Sequence, residues 1–198
     1  SCILAGARTL AGALVPLVGT APTNYNFVSG DYDRETGLVG DGSTKYLALN
    51  RTVNADPQNN RHLSAFPTFV SGSGVRVALG VPQGNNALTL YADNSDNLRL
   101  QICGPDVATS RPFAANKLVG GSRSNATQII GRTDGANSTL ANNSVTLITD
   151  AIFMYSNGNN QFHSPCRFAF YSIGESLDLA LLDTRVTTLI SDLAAAIP

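Results

Sequence analysis

From Thr44 to Ile173 the chain alternates apolar and polar residues in short runs separated by turns rich in glycine and asparagine. The cleanest run is Asn97-Leu-Arg-Leu-Gln-Ile-Cys103. Leu98, Leu100 and Ile102 fall on one face and Arg99 and Gln101 on the other, as a half-buried strand requires. The same pattern predicts strands over Lys45–Leu49, His62–Val70, Val75–Val81, Ala87–Ala92, Lys117–Gly121, Gln128–Arg132, Ser144–Ile148, Ala151–Tyr155 and Arg167–Ile173. Asp41-Gly42, Asp134-Gly135 and Asn157-Gly158 each place a residue tolerant of positive φ before a glycine, which favours antiparallel hairpins. No helical stretch separates the runs, so βαβ crossovers are disfavoured and an all-β antiparallel sandwich or jelly roll is expected.

The pattern changes at the C-terminus. Leu179, Leu182, Val186, Leu189, Ile190 and Leu193 recur at spacings of three and four behind Asp178, a good helix cap. One amphipathic helix over 178–195 follows, with Asp183, Thr184, Thr187, Thr188 and Ser191 on its polar face. At the other end, residues 1–25 form an Ala/Leu/Gly-rich leader that gives way to polar, aromatic sequence. The expected organisation is a leader or interface segment, 1–25, and one jelly-roll domain, 26–198.

Composition narrows the function classes. In 198 residues there are 13 Lys+Arg against 14 Asp+Glu, and only 14% of residues are charged, against about 25% in an ordinary domain. Such a balance argues against nucleic acid as a partner. Arg8 and Pro16 interrupt the longest apolar run, so the roughly 20 apolar residues of a membrane helix are not available and no membrane insertion is expected. Ile3–Val18 lacks the basic start of a secretory signal. Cys2, Cys103 and Cys166 form no CxxC pair and read as buried thiols rather than a disulfide framework or zinc site. The sequons at Asn50, Asn125, Asn137 and Asn142 are accounted for by the abundance of Asn, Ser and Thr.

Few motifs carry chemistry. Gly174-Glu-Ser-Leu177 is similar to the nucleophile block of Gly-Asp-Ser-Leu lipases, but no histidine follows Ser176, and a serine without a base has no means of activation. Ser176 reads as part of the helix start. Gly40-Asp-Gly-Ser-Thr-Lys45 lacks the order of a phosphate loop. His62 and His163 lie near no cluster of metal-ligating residues in the sequence. Asp93-Asn-Ser-Asp-Asn97 offers calcium two carboxylates but lacks the glycine and distal glutamate of an EF-hand loop, so a plain polar turn is favoured over a calcium site and no cofactor is expected. Glu35 and Glu175 are the only glutamates, and the Glu-x-Asp-x-x-Glu strand motif of sandwich-fold glycan hydrolases is absent. There is no tryptophan, and the aromatic residues occupy alternating strand positions, so no sugar-stacking platform is visible.

Asp31-Tyr-Asp-Arg-Glu-Thr-Gly-Leu-Val-Gly-Asp-Gly-Ser-Thr-Lys-Tyr-Leu47, followed by Asn54-Ala-Asp-Pro-Gln-Asn-Asn-Arg-His-Leu63, resembles a domain of bacteriophage virion proteins, especially tail fibres and related appendages. Gly120-Gly-Ser-Arg-Ser124, Phe168–Leu179, Leu182-Asp-Thr-Arg-Val186 and Ala7–Pro16 extend the resemblance over nearly the whole chain. It implies a concanavalin A-like or laminin G-like jelly roll with a helix after the last strand. It also implies a virion part assembled in the bacterial host and repeated by symmetry, a trimer or a place in a larger lattice, with no catalytic residues to transfer.

Three function classes follow: attachment to a host-surface glycan, a purely structural role such as capsid decoration, and, ranked far behind, glycan hydrolysis. For attachment, the Asn- and Gly-rich turns are the candidates, with Asp93, Asn94, Asp96, Asn97, Asp134, Asn137, Asn157 and Asn159 as ligand-binding residues and Gln83–Asn86 as a further loop. No catalytic and no metal-binding residue is expected.

Overall fold

The computed structural model describes residues 1–82, 88–159 and 161–197. The Gln83–Asn86 loop of the sequence analysis lies outside the described residues. In chain order the elements are β1 (Cys2–Ile3), α1 (Leu10–Ala13), β2 (Thr23–Tyr25), β3 (Tyr32–Asp33), β4 (Gly37–Val39), β5 (Tyr46–Thr52), β6 (Arg61–Phe69), β7 (Arg76–Gly80), β8 (Leu88–Ala92), β9 (Asn97–Ile102) and β10 (Val107–Pro112). They continue with β11 (Val119–Arg123), β12 (Gln128–Thr133), β13 (Ala136–Ala141), β14 (Ala151–Met154), β15 (Arg167–Gly174) and α2 (Leu179–Ala196). No described helix is long and apolar enough to cross a membrane.

Two antiparallel sheets form a sandwich of the jelly-roll type. One is eight-stranded, in the order β13-β12-β11-β6-β15-β4-β3, with β1 also on β15; the other is seven-stranded, in the order β10-β9-β8-β7-β14-β5-β2. Alternation determines what lies between them. Leu47, Leu49, Leu79, Leu90, Leu98, Leu100, Ile152 and Met154 from the seven-stranded sheet meet Leu38, Leu63, Ala65, Val119, Ile129 and Phe168 from the other. A second apolar cluster lies on the outer face of the eight-stranded sheet, where Leu179, Val186 and Ile190 of α2 cover Phe66, Ala169 and Phe170. The Asp178 carboxylate caps that helix on the amides of Ala180 (2.8 Å) and Leu181 (3.1 Å).

Several sequence expectations need correction. Ser144–Ile148 is not a strand; its amides bond to loop carbonyls, Ser144 to Ala126 and Val145 to Cys103, so the stretch links two loops instead of joining a ladder. Asp134-Gly135 does close the β12–β13 hairpin, with φ of 50° and 71°. Asp41-Gly42 instead carries the chain from β4 in one sheet to β5 in the other, its carboxylate holding the amides of Ser43, Thr44 and Lys45. Asn157-Gly158 opens a long loop after β14. Asp183, assigned to the solvent side of the helix, is 4% exposed. It bonds to Arg132 and to the Leu118 amide, because α2 rests on strands whose own polar groups need partners. The leader is tied into both sheets, β1 pairing with β15 and β2 with β5. The three cysteines are free and buried.

Candidate functional site

The antiparallel registers bring a set of loops to one end of the sandwich. Arg76 at the start of β7 pairs with Ala92 at the end of β8, and Met154 at the end of β14 pairs with Leu47 near the start of β5. The turns after β8 and β14 and the chain entering β5 and β7 therefore share that end. Two bonds carry the rim across to the other sheet: the Phe113 amide donates to the Asp96 carbonyl (2.7 Å), and the Thr133 hydroxyl donates to the Pro112 carbonyl. The sequence candidates Asp93, Asn94, Asp96, Asn97, Asp134, Asn157 and Asn159 thus lie along one rim, whereas Asn137 does not.

Most of these side chains serve the turns that hold them. Asp93 Oδ1 accepts from the amides of Ser95 (2.9 Å) and Asn97 (3.0 Å). Asp96, in the left-handed region at φ 60°, forms an ion pair with the nearly buried Arg76. Asn157 is 4% exposed, and its Oδ1 accepts from the Asn159 amide (3.1 Å). This is the Asx chemistry that turn formation selects. Asn94, Asp134 and Asn159 are exposed. Asn137 Oδ1 accepts from Arg132 Nη1 (2.8 Å), and the residue lines a separate cleft of about 380 Å³ with Ser122, Ser124, Ile130, Ser176 and Leu177. No group of three His, Cys, Asp or Glu side chains suited to a metal ion occurs among the described residues.

An aromatic ridge that the sequence pattern did not reveal stands at one corner of the rim. Leu47 and Leu49 point into the core, so Tyr46 and Ala48 must point outward, and the register places Tyr25 beside Tyr46 and Phe153 beside Ala48. Tyr25 and Tyr46 stack with centroids 4.5 Å apart and planes 9° from parallel. Phe153 meets Tyr46 edge-on at 5.9 Å, and the His163 ring lies 6.2 Å from Tyr46. Tyr25 is 42% exposed at the sheet edge, and Phe162 is 43% exposed nearby, its carbonyl accepting the Val77 amide. Gly158, at φ 82°, lets the loop lie on the ridge, since a Cβ there would stand 2.3 Å from the Phe153 ring. His163 Nδ1 lies 3.4 Å from the Lys45 carbonyl, and its Nε2 is buried without a partner among the described residues. The signal in the sequence was the aromatic parity of Tyr46 and Phe153, opposite to that of Leu47 and Met154. Without the strand order nothing joined them to Tyr25.

Neither histidine is placed to activate Ser176, whose hydroxyl donates to Asn60 Oδ1 (2.6 Å). His62 lies on the outer face of the eight-stranded sheet. Its Nδ1 must donate to the Glu175 carbonyl (2.6 Å), which only accepts, so its Nε2 receives the Ser172 hydroxyl proton (2.7 Å). Burial pushes the His62 pKa down, and its neutral form is favoured.

No protein-family model matches the sequence, and neither does any curated protein sequence. Solved structures do match the fold. The binding domain of botulinum neurotoxin serotype D aligns with 96% of this chain and 51% of its own at a TM-score of 0.56 and 13% identity. The full-length tailspike protein 2 of Escherichia coli O157:H7 bacteriophage CAB120 aligns over 87% of this chain and 27% of its own, at 0.50 and 17%. A Trypanosoma rangeli sialidase aligns over 96% and 36%, at 0.50 and 14%. The chain therefore spans between about a quarter and a half of the structures it matches, and the likeness is one of fold: an antiparallel sandwich shared by binding domains, a phage tailspike and an enzyme.

Proposed function

We propose that this chain is an attachment module of a bacteriophage tail-fibre or appendage protein, and that its loop-bearing rim binds a host-surface glycan without catalysis. The observation that carries the reading is the Tyr25–Tyr46 stack, its Tyr25 ring exposed, beside the loop that carries the exposed Asn159. An apolar ring face suits the C–H face of a pyranose, and neighbouring amides suit its hydroxyls. The resemblance of Asp31–Leu47 and Phe168–Leu179 to virion proteins, and the shared fold with a tailspike, support the phage context.

Adsorption of the domain to host envelope glycans tests this. Truncating an exposed aromatic anchor at a binding surface typically costs more than ~1 kcal/mol, so Tyr25→Ala is expected to weaken adsorption about tenfold while leaving the thermal midpoint nearly unchanged. Unaltered adsorption in Tyr25→Ala and in a Tyr25→Ala/Phe162→Ala double variant refutes the reading. A second reading, a structural virion part such as a capsid decoration or fibre-assembly domain, is favoured by a different feature. Val15, Leu17 and Val18 are 66%, 59% and 74% exposed on the leader, an apolar surface suited to symmetric contacts between copies. Loss of oligomers or fragile particles in Leu17→Ser/Val18→Ser, with adsorption by the isolated domain unchanged in the Tyr25 variant, selects that reading.

A further inference from the structure

At the end of the sandwich opposite the rim, a cleft of about 340 Å³ opens between β5 of one sheet and β15 of the other. Its walls include Leu49, Asn50 and Arg51 from β5 and Tyr171 and Ile173 from β15, and Val18, Gly19 and Thr20 of the leader form its rim. That rim is pinned: the Ser1 nitrogen donates to the Val18 carbonyl (3.0 Å) and the Leu17 amide to the Ser1 carbonyl (2.9 Å). Arg51 has the inward parity of Leu47 and Leu49, so an arginine takes a core-facing place where the sheets part. Among the described residues its one side-chain hydrogen bond goes from Nη2 to Asp56, and its Nε is buried with no partner. Tyr171 is 4% exposed, and its hydroxyl makes no hydrogen bond among the described residues. Among the described residues no carboxylate lines the cleft itself, Asp56 holding Arg51 from outside that lining.

We infer that this cleft is a binding site for a small carboxylate that carries an apolar face. The Arg51 guanidinium and the Tyr171 hydroxyl, donors on opposite sheets, line one recess whose described lining residues include no carboxylate, and an anion is the acceptor that answers both best. A planar carboxylate matches the guanidinium fork and accepts the Tyr171 proton as well, while Leu49, Ile173 and Val18 receive an apolar body. Burial pushes the Tyr171 pKa up, so the hydroxyl stays a donor throughout the ordinary pH range. The volume suits a ligand the size of one sugar or one aromatic acid. The carboxylate has two possible sources, a uronic acid of a glycan or a free organic acid. The site is remote from the aromatic ridge and does not depend on the attachment reading.

Chemical-shift titration of the isotope-labelled chain with glucuronate, benzoate, glucose and benzyl alcohol tests the inference. Saturable shifts at Leu49–Arg51 and Tyr171 are expected for one or both acids at millimolar concentration, and for neither neutral analogue. Binding by glucuronate alone points to an acidic sugar, and binding by benzoate alone to a free acid. Tyr171→Phe keeps the ring in the core and removes only the hydroxyl, and it should weaken binding about tenfold. Arg51→Lys, which keeps the charge by Asp56 but loses the fork, should weaken it further. The inference is overturned if neither acid binds, if the neutral analogues bind as well, or if folded Tyr171→Phe and Arg51→Lys bind like the parent chain.

Discussion

Asp183 gives the sharpest test of how α2 is held on the sandwich. Its Oδ2 receives Arg132 Nε and Nη2, each at 2.8 Å, and its Oδ1 receives the Leu118 amide and the Thr187 hydroxyl, each at 3.1 Å. The side chains of Arg132 and Asp183 are only 10% and 6% exposed. Asp183→Ala therefore strands a guanidinium and a backbone amide away from water. Breaking one side of a buried pair costs about 3–5 kcal/mol. For a chain of this size each kcal/mol moves the midpoint by roughly 2–4 °C, so a fall of about 10 °C is expected. Asp183→Asn keeps an acceptor for Leu118 but loses the charge, and should cost about 1.5–3 kcal/mol. The double replacement Arg132→Met/Asp183→Leu removes both charges and should recover most of the loss. Urea unfolding followed by circular dichroism measures all three. If Asp183→Ala falls within about 1 kcal/mol of the parent chain, the pair is not what holds the helix and the argument fails.

Further expectations follow from single sites. His62 has a folded pKa below its ordinary 6.5, so the unfolded chain takes up a proton first as pH falls. Its contribution should be constant above about pH 6.5, decline below it until the folded form also protonates, and vanish from the pH profile of His62→Asn. Asp33 and Asp41, held below the ordinary 3.8 by turn hydrogen bonds, lose their contribution only at pH values under about 4, a separate window in the same titration. Gly37 has φ of 98°, and a Cβ there would stand 2.2 Å from the Phe168 carbonyl oxygen. Gly37→Ala should cost about 2 kcal/mol or more, read as a lower urea midpoint, and a neutral result would refute the close approach of β4 to β15.

The sequence by itself determined the elements whose causes are local. The alternation of Leu98, Leu100 and Ile102 becomes β9, the 3.6-residue spacing of Leu179, Leu182, Val186 and Ile190 becomes α2, and Asp134-Gly135 becomes a hairpin, because periodicity and positive-φ tolerance act within a few residues. Two short strands, β1 and β2, carry no such signal; Cys2–Ile3 and Thr23–Tyr25 are strands only because β15 and β5 offer them open edges. Asp183 has the same local reading whether it faces water or Arg132, and only the docking of α2 on the eight-stranded sheet makes it a buried partner. The functional surfaces belong to this second kind. Tyr25 and Phe153 are separated by more than a hundred residues, as are Arg51 and Tyr171; the first two flank Tyr46 because β2 and β14 both pair with β5, and the second two line one cleft because the two sheets stack. Parity tells a sequence reader which face a side chain takes, but the neighbour across that face is decided by pairing between distant strands, and that is a tertiary fact.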